Sequence, residues 1–123
     1  MENSCYPFVN LPLPYDYDAL EPYIDEKTMH LHHDRHLQAY IDNLNTVLKN
    51  EPALRKMTLE QLIRNSGKLP KRIQSSVINN AGGIYNHRFF FTGLSPESDP
   101  DCAPELVREI CCRFESLENF YNM

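Results

Sequence analysis

Residues 25–50 read DEKTMHLHHDRHLQAYIDNLNTVLKN and decide the expected fold of the chain. Asp25 is a good helix N-cap, and apolar residues recur after it at the three- and four-residue spacing of one helix face. The segment predicts a long amphipathic helix that starts at Glu26 and ends near Lys49, one arm of a helical hairpin. The predicted buried stripe consists of Met29, His32 or His33, His36, Tyr40, Leu44, Val47 and Leu48.

A second long helix is predicted after Pro70, and a short amphipathic helix with a capping box of Thr58 and Gln61 lies between the two. The Gly82-Gly83 pair costs the second helix up to about 2 kcal/mol relative to two alanines. Close approach of another backbone or a metal site is one reason to tolerate this cost, and a plain helix crossing is the other. The apolar face of this helix carries Ile73, Val77, Ala81, Ile84, His87 and Phe91.

The segments on either side of the hairpin are rich in proline. Residues 10–25 contain three prolines, which predict an extended arm that packs along the hairpin. The loop from Ser95 to Pro104 predicts a domain boundary. A further helix, Glu105 to about Phe114, is expected to bury Leu106, Val107, Ile110 and Cys111, and Ser116 to cap another.

The expected fold class is therefore all-α: a long antiparallel helical hairpin with an extended N-terminal arm, followed by the first helix of a truncated α/β domain. The expected domains are a helical-hairpin domain at 1–94 and an incomplete second domain at 95–123. Because the last predicted helix is cut off after a few residues, the chain is expected to be truncated.

Composition excludes several partners. A net charge of -5 among 123 residues argues against general binding to nucleic-acid phosphates or to an anionic membrane. The sequence has no apolar run of membrane-spanning length and no signal-peptide pattern, so we expect a cytoplasmic protein. The four cysteines match no zinc pattern and are expected to be reduced thiols.

Histidines are concentrated in one place. Four of the five lie between His30 and His36, and the fifth is His87 on the second helix. In a helix His32, His36 and Tyr40 share one stripe, so two antiparallel helices would bring imidazoles together. A metal site is one interpretation and ordinary hydrogen-bonded core histidines are the other. Spacing alone leaves zinc, copper, iron and nickel open.

The sequence resembles the manganese/iron superoxide dismutase family from Leu11 onward. The resemblance is carried by the blocks LPYDYDALEP (13–22), TMHLHHDRH (28–36), YIDNLN (40–45), NNAGGIYNH (79–87) and FESLENF (114–120). It implies that His32 and His87 are metal ligands, and that His36 and Tyr40 line the approach of substrate and act in catalysis. It also implies one Mn or Fe ion per complete subunit, superoxide as the substrate, and a homodimer.

Two departures from the family pattern matter. Leu37, Ile84 and Phe91 replace residues common in the family, which should alter packing and channel walls. The Asp-x-Trp-Glu-His segment that supplies the family's other two ligands does not occur in this sequence. We therefore expect weak metal binding and little dismutase activity from these 123 residues alone. The alternatives are a catalytically inactive hairpin that acts as an interaction module, and a two-histidine metal binder of another kind.

Overall fold

The computed structural model describes residues 3–97 and 99–123. Met1, Glu2 and Ser98 lie outside the described residues, as do the parts of the predicted domain ranges that fall on them. In the described part the regular structure is helical, as expected from the sequence. The α-helices are α1 (Glu26–His30), α2 (Gln38–Lys49), α3 (Leu59–Arg64), α4 (Lys71–Gly93), α5 (Pro104–Phe114) and α6 (Leu117–Tyr121).

The first long helix starts where its sequence predicts. The Asp25 side chain accepts a hydrogen bond from the Thr28 backbone N–H at 2.8 Å, which caps α1. Between α1 and α2 the helix continues without a break as a π-helical segment, Leu31–Leu37. The sequence predicts an uninterrupted α-helix here and gives no sign of this wider turn.

The two long helices pack as an antiparallel hairpin. Arg72 near the start of α4 forms an ion pair of 2.6 Å with Glu51, just beyond the end of α2. At the other end His36 of the π-helical segment contacts His87 of α4. Opposite ends of the two helices therefore meet, and α3, with the predicted capping box of Thr58 and Gln61, lies between them in the chain.

The core forms between these helices and the arm. Its most completely buried side chains are Phe8, Met29, Ile41, Leu44, Leu48, Leu62, Val77 and Ile84. The predicted stripe of the first helix is only partly correct. His36 is exposed and Tyr40 half-buried, whereas Leu37 and Ile41 are buried. The π-helical segment alters the spacing of side chains around the axis, so a constant period of 3.6 residues fails there.

The arm is held to both long helices. The Asn45 side chain of α2 bonds both backbone groups of Phe8, at 2.9 and 2.8 Å. The Tyr15 hydroxyl donates to the Phe91 carbonyl of α4 at 2.8 Å. Beyond Asp16 the arm is no longer extended, because residues 17–23 form consecutive turns. The prediction that the arm packs against the hairpin is confirmed.

The helices after the loop are largely exposed. Pro104 is the first residue of α5, one residue before the predicted start, and Ser116 takes the predicted N-cap position of α6. The two helices pack against each other. The predicted buried side of α5 is only partly correct, since Val107, Ile110 and Cys111 are half-buried, Leu106 is 61% exposed and no residue of α5 is fully buried. All four cysteines are free thiols, as expected. In the described part of the chain, none of the helices has the length and hydropathy of a membrane span.

Candidate metal centre

The histidine-rich segment occupies the π-helical turn. Segments of this type are rare and short, and they are found disproportionately at functional sites. His32 and His36 both lie within it, and their rings are stacked with centroids 5.6 Å apart. The local backbone therefore presents two imidazoles side by side towards α4.

His87 of α4 completes a group of three imidazoles. One nitrogen from each of His32, His36 and His87 lies within 4.8 Å of the other two. The closest pair is His87 Nε2 and His36 Nδ1, 3.1 Å apart, and the His32 and His87 ring centroids are 4.8 Å apart. His32 and His87 are half-buried, whereas His36 is exposed. The structure thus brings together the three histidines that the sequence assigned to the site, and the fourth assigned residue, Tyr40, lies against His36 and His87.

A backbone carbonyl fixes the state of the His87 ring. The Gly83 carbonyl lies 2.7 Å from His87 Nδ1 and can only accept, so Nδ1 carries the proton. In the neutral ring Nε2 then keeps its lone pair, and it accepts the hydrogen bond from His36 Nδ1. An N–H held by a carbonyl, with the other nitrogen available, is the usual arrangement of a metal-binding histidine.

His32 is also held in the form that binds metals. Burial lowers the pKa of its imidazole, and the neighbouring His87 and His36 lower it further. The neutral ring, which has a lone pair to donate, is therefore favoured. Above His32 and His87 lies a cavity of about 570 Å³ that is bounded by Phe89, Phe90 and Leu94, so a small species has access to both rings.

Tyr40 lies at the edge of this group, and its ring explains why one residue of the Gly82-Gly83 pair in α4 has no side chain. Its ring centroid is 5.1 Å from that of His36 and 5.3 Å from that of His87. A Cβ atom added at Gly83 would lie 2.5 Å from Tyr40 Cδ1, whereas a Cβ at Gly82 would meet nothing within 4 Å. Gly83 is therefore the position at which the Tyr40 side chain needs the space. Sequence reasoning singled out the glycine pair but could not separate its two members.

The other two histidines belong to a different cluster. His33 is 5% exposed, and its Nε2 lies 2.8 Å from the Leu11 carbonyl of the arm. The Asp34 carboxylate lies 2.7 Å from one ring nitrogen of both His30 and His33, and it accepts a hydrogen bond of 2.6 Å from Tyr17. This cluster anchors the arm to the π-helical segment.

The same contacts shift two pKa values in opposite directions. Partial burial would raise the pKa of Asp34, but hydrogen bonds from His30, His33 and Tyr17 outweigh it and hold that pKa well below its usual range. Burial, together with the hydrogen bond to Asp34 and its charge, raises the pKa of Tyr17 to about 12. Asp34 is therefore ionised at neutral pH, and both of its oxygens are engaged by Tyr17, His30 and His33.

The donor group suits a transition metal. His87 keeps a nitrogen lone pair, His32 is biased towards its neutral form, and the two rings come from separate helices of a packed core. Imidazole is a common ligand of zinc, copper, iron and nickel, and it is also compatible with manganese when other ligands are present. The residues present therefore fit a metal, although imidazoles alone do not select one.

Comparison with known proteins places this geometry in a family. Residues 8–95 match the description of the iron/manganese superoxide dismutases, alpha-hairpin domain. The chain is 46% identical over 109 residues to superoxide dismutase [Mn] of Pseudomonas aeruginosa, covering 89% of this chain and 53% of that protein. It is 44% identical over 113 residues to superoxide dismutase [Mn] of Thermus thermophilus, covering 92% of this chain and 55% of that protein. It is 41% identical over 109 residues to superoxide dismutase [Mn] 3 of Leptolyngbya boryana, covering 89% of this chain and 46% of that protein.

The chain thus spans about half the length of these relatives. The matched region contains the arm, both long helices and all three clustered histidines. A match over residues 8–95 covers well over half of the 123 residues, and the identities exceed 40%. The chain belongs to the iron/manganese superoxide dismutase family.

Proposed function

We propose that the chain is part of a manganese- or iron-dependent superoxide dismutase, which converts superoxide to dioxygen and hydrogen peroxide. The observation that carries the proposal is the convergence of His32 and His87 from separate helices, within a chain of this family. These two residues are the proposed protein ligands that this chain contributes. The names of the relatives, superoxide dismutase [Mn], support both the substrate and the metal.

The chain's own residues have separable roles in this proposal. His32 and His87 hold the ion, and the Gly83 carbonyl orients the His87 ring. Mn or Fe, when bound, would supply a reversible one-electron change. The half-buried phenol of Tyr40 and the exposed imidazole of His36 lie beside His87, with ring centroids 5.3 and 4.7 Å from its ring, and in this proposal they deliver the protons that peroxide formation requires.

Access to the site has a physical basis. Superoxide is a small anion, and the cavity beside His32 and His87 opens between aromatic side chains. A cation held by two neutral imidazoles keeps its full positive charge and attracts an anion into such a cavity. Phe89 and Phe90 bound the space without competing for the metal.

Metal content and superoxide consumption test the proposal together. The chain is dialysed to equilibrium against increasing concentrations of Mn²⁺ or Fe²⁺, so that weak binding is registered, and bound metal and superoxide decay are measured at each concentration. We expect both quantities to fall in parallel in His32→Gln and His87→Gln, and to stay at the wild-type level in His30→Gln. His30 is the matched control because it lies on the same helical run but contacts Asp34 and Glu26.

The proposal is rejected if His32→Gln and His87→Gln retain as much metal as the wild-type chain, or if superoxide decay does not follow the bound metal.

The alternative function is a hairpin module that acts through its surface. It is favoured by one observation: Phe89 is 74% and Phe90 43% exposed beside the histidine group. Such a module would self-associate or bind a partner without consuming superoxide.

Three further expectations belong to the same proposal. The exposed aromatic side chains of α4 support self-association, and the homodimer expected from the family is the form we propose. The division into domains at 1–94 and 95–123 is supported by the exposure of α5, and limited proteolysis between Leu94 and Pro104 would test it. The cytoplasmic location stays a prediction that cell fractionation would test.

A further inference from the structure

Charge is unevenly distributed along the chain. Residues 49–72 contain seven of its 12 lysines and arginines but two of its 17 acidic residues, so this stretch carries +5 and the remainder -10. The net charge of -5, which argues against general binding to nucleic acids, is the sum of these two unequal parts. We propose that the basic stretch forms a binding site for the phosphate backbone of nucleic acids at one end of the hairpin.

The fold brings most of these cations to the end of the hairpin at which α2 stops and α4 starts. Arg72 near the start of α4 pairs with Glu51, just beyond α2, at 2.6 Å. The Gln74 side chain of α4 donates to the Gly67 and Leu69 carbonyls of the turn that follows α3, at 3.1 and 2.7 Å. The ends of α2 and α3 and the start of α4 therefore meet. We call their cations the basic tip: Lys49, Arg55, Arg64, Lys68, Lys71 and Arg72.

Four cations of the basic tip are available to an external anion. Those that are exposed and form no ion pair within the described residues are Lys49, Arg64, Lys68 and Lys71. Arg72 and Arg55 are instead engaged by Glu51 and by backbone carbonyls. The other acid of the stretch, Glu60, lines a cavity with Tyr85, about 20 Å along α4 from the tip. Neither acid of the stretch therefore neutralises the four available cations.

The acidic end of the hairpin is too distant to cancel this charge. The 23 residues of α4 span about 35 Å. Asp25 and Glu26 lie at the start of α1, at the end of the hairpin opposite to the basic tip. Because charges in solution are screened over about 8 Å at physiological ionic strength, the two ends act almost independently. A phosphate group that approaches the basic tip is therefore attracted, although the whole chain is acidic.

The surface of the basic tip favours nucleic acid over other polyanions. Lysine and arginine bind a nucleic-acid backbone through its phosphates, and this binding needs no apolar contact. Protein interfaces usually have aromatic or apolar residues at their centre, and membrane-surface helices insert apolar side chains. None of the large exposed hydrophobic side chains lies in residues 49–72, all of which the structure describes. The tip should therefore bind DNA or RNA duplexes of any sequence.

The basic tip is remote from the metal centre. His87 lies 16 residues beyond Lys71 in α4, about 24 Å along the helix axis. A nucleic acid bound to the tip therefore leaves the cavity beside His32 and His87 open. The inference goes beyond the proposed function and does not depend on it. His32→Gln should bind nucleic acid as tightly as the wild-type chain does.

The salt dependence of binding to a fluorescently labelled DNA duplex, measured by anisotropy, tests the inference. If the four available cations each neutralise one phosphate, the logarithm of the binding constant falls with the logarithm of the salt concentration with a slope of about -3.6. Binding then weakens roughly 150-fold between about 50 and 200 mM NaCl. Lys68→Gln/Lys71→Gln should reduce the slope to about -1.8. Lys27→Gln/Arg108→Gln, which removes the same charge at exposed positions outside the tip, should keep the wild-type slope.

Three further probes identify the polyanion. An RNA duplex of the same sequence shows which nucleic acid binds more tightly, and vesicles with phosphatidylserine and polyglutamate represent the membrane and protein classes. Lys68→Arg/Lys71→Arg should keep the wild-type slope, which separates loss of charge from loss of fold. The inference is overturned by a wild-type slope near zero, by equal losses in the two glutamine double variants, or by loss of binding in the arginine variant. Tighter binding of vesicles or polyglutamate than of either duplex would also overturn it.

Discussion

Replacing Gly83 by alanine should destabilise the chain relative to the same change at Gly82. Both residues lie in the interior of α4, so each substitution gains about 0.8–1 kcal/mol of helix propensity. At Gly82 nothing opposes this gain. At Gly83 the new methyl group would lie 2.5 Å from Tyr40 Cδ1 and 2.7 Å from Cγ and Cε1, about 1 Å inside an ordinary carbon contact.

The size of the effect follows from overpacking. Forcing a methyl group into an occupied space costs about 1–3 kcal/mol. Because the propensity gains cancel between adjacent residues, Gly83→Ala should have a free energy of unfolding about 1–3 kcal/mol lower than Gly82→Ala. Urea denaturation of the metal-free chain, followed by far-UV circular dichroism, measures this difference.

Tyr40→Ala provides the decisive control. With the ring removed, the added methyl group at Gly83 has space, so Gly82→Ala and Gly83→Ala should become equally stable in that background. Equal stabilities of the two alanine variants in the presence of Tyr40 would refute the steric account of Gly83. A difference that persists without the Tyr40 ring would refute it as well.

The remaining predictions concern pH, the core and the surface. The folded-state pKa of Asp34 is depressed, so its stabilising effect is complete above the unfolded value of about 4 and is lost as pH falls through the folded pKa. The stability difference between wild type and Asp34→Asn, measured by urea denaturation, should therefore shrink as pH falls below about 4; a difference independent of pH would contradict this. Leu44→Ala, at a fully buried position, should lower the free energy of unfolding by about 2–5 kcal/mol. The matched change Leu106→Ala, at a position 61% exposed, should stay within about 0.5 kcal/mol, and similar losses at both sites would contradict the assigned core. Phe89→Ser should reduce self-association in light scattering more than Tyr23→Ser does, although Tyr23 is even more exposed; equal effects would argue against an interface at the α4 aromatic side chains.

Periodicity and capping located most of the fold. Asp25, Thr58 and Ser116 cap the helices that their sequence context predicts, because a cap depends on contacts within one turn. The stripe of α4 from Ile73 to Phe91 was predictable for a similar reason, since a regular helix with one buried face repeats every 3.6 residues.

What the sequence did not reveal depends on contacts between distant segments. The π-helical segment Leu31–Leu37 has no local signature, and the bonding of His33 to Leu11 becomes visible only when the arm is in place. Spacing predicted that His32 and His87 could approach each other. It could not predict that His36 would lie nearest to His87, because that requires the orientation of each ring.

The π-helical segment also carries a consequence for changes in the length of the chain. Each residue removed from a helix rotates everything beyond it by about 100°. In a regular helix Met29 and Leu48, which are 19 residues apart, would lie about 100° apart around the axis, yet both are buried. Deleting one residue within 31–37, so that α1 and α2 joined as one regular helix, would leave 18 residues, about five whole turns, between them and keep both on the buried face. The wider turn therefore absorbs one residue, so that the segment that carries the imidazoles can lose it while Ile41, Leu44 and Leu48 keep their places in the core.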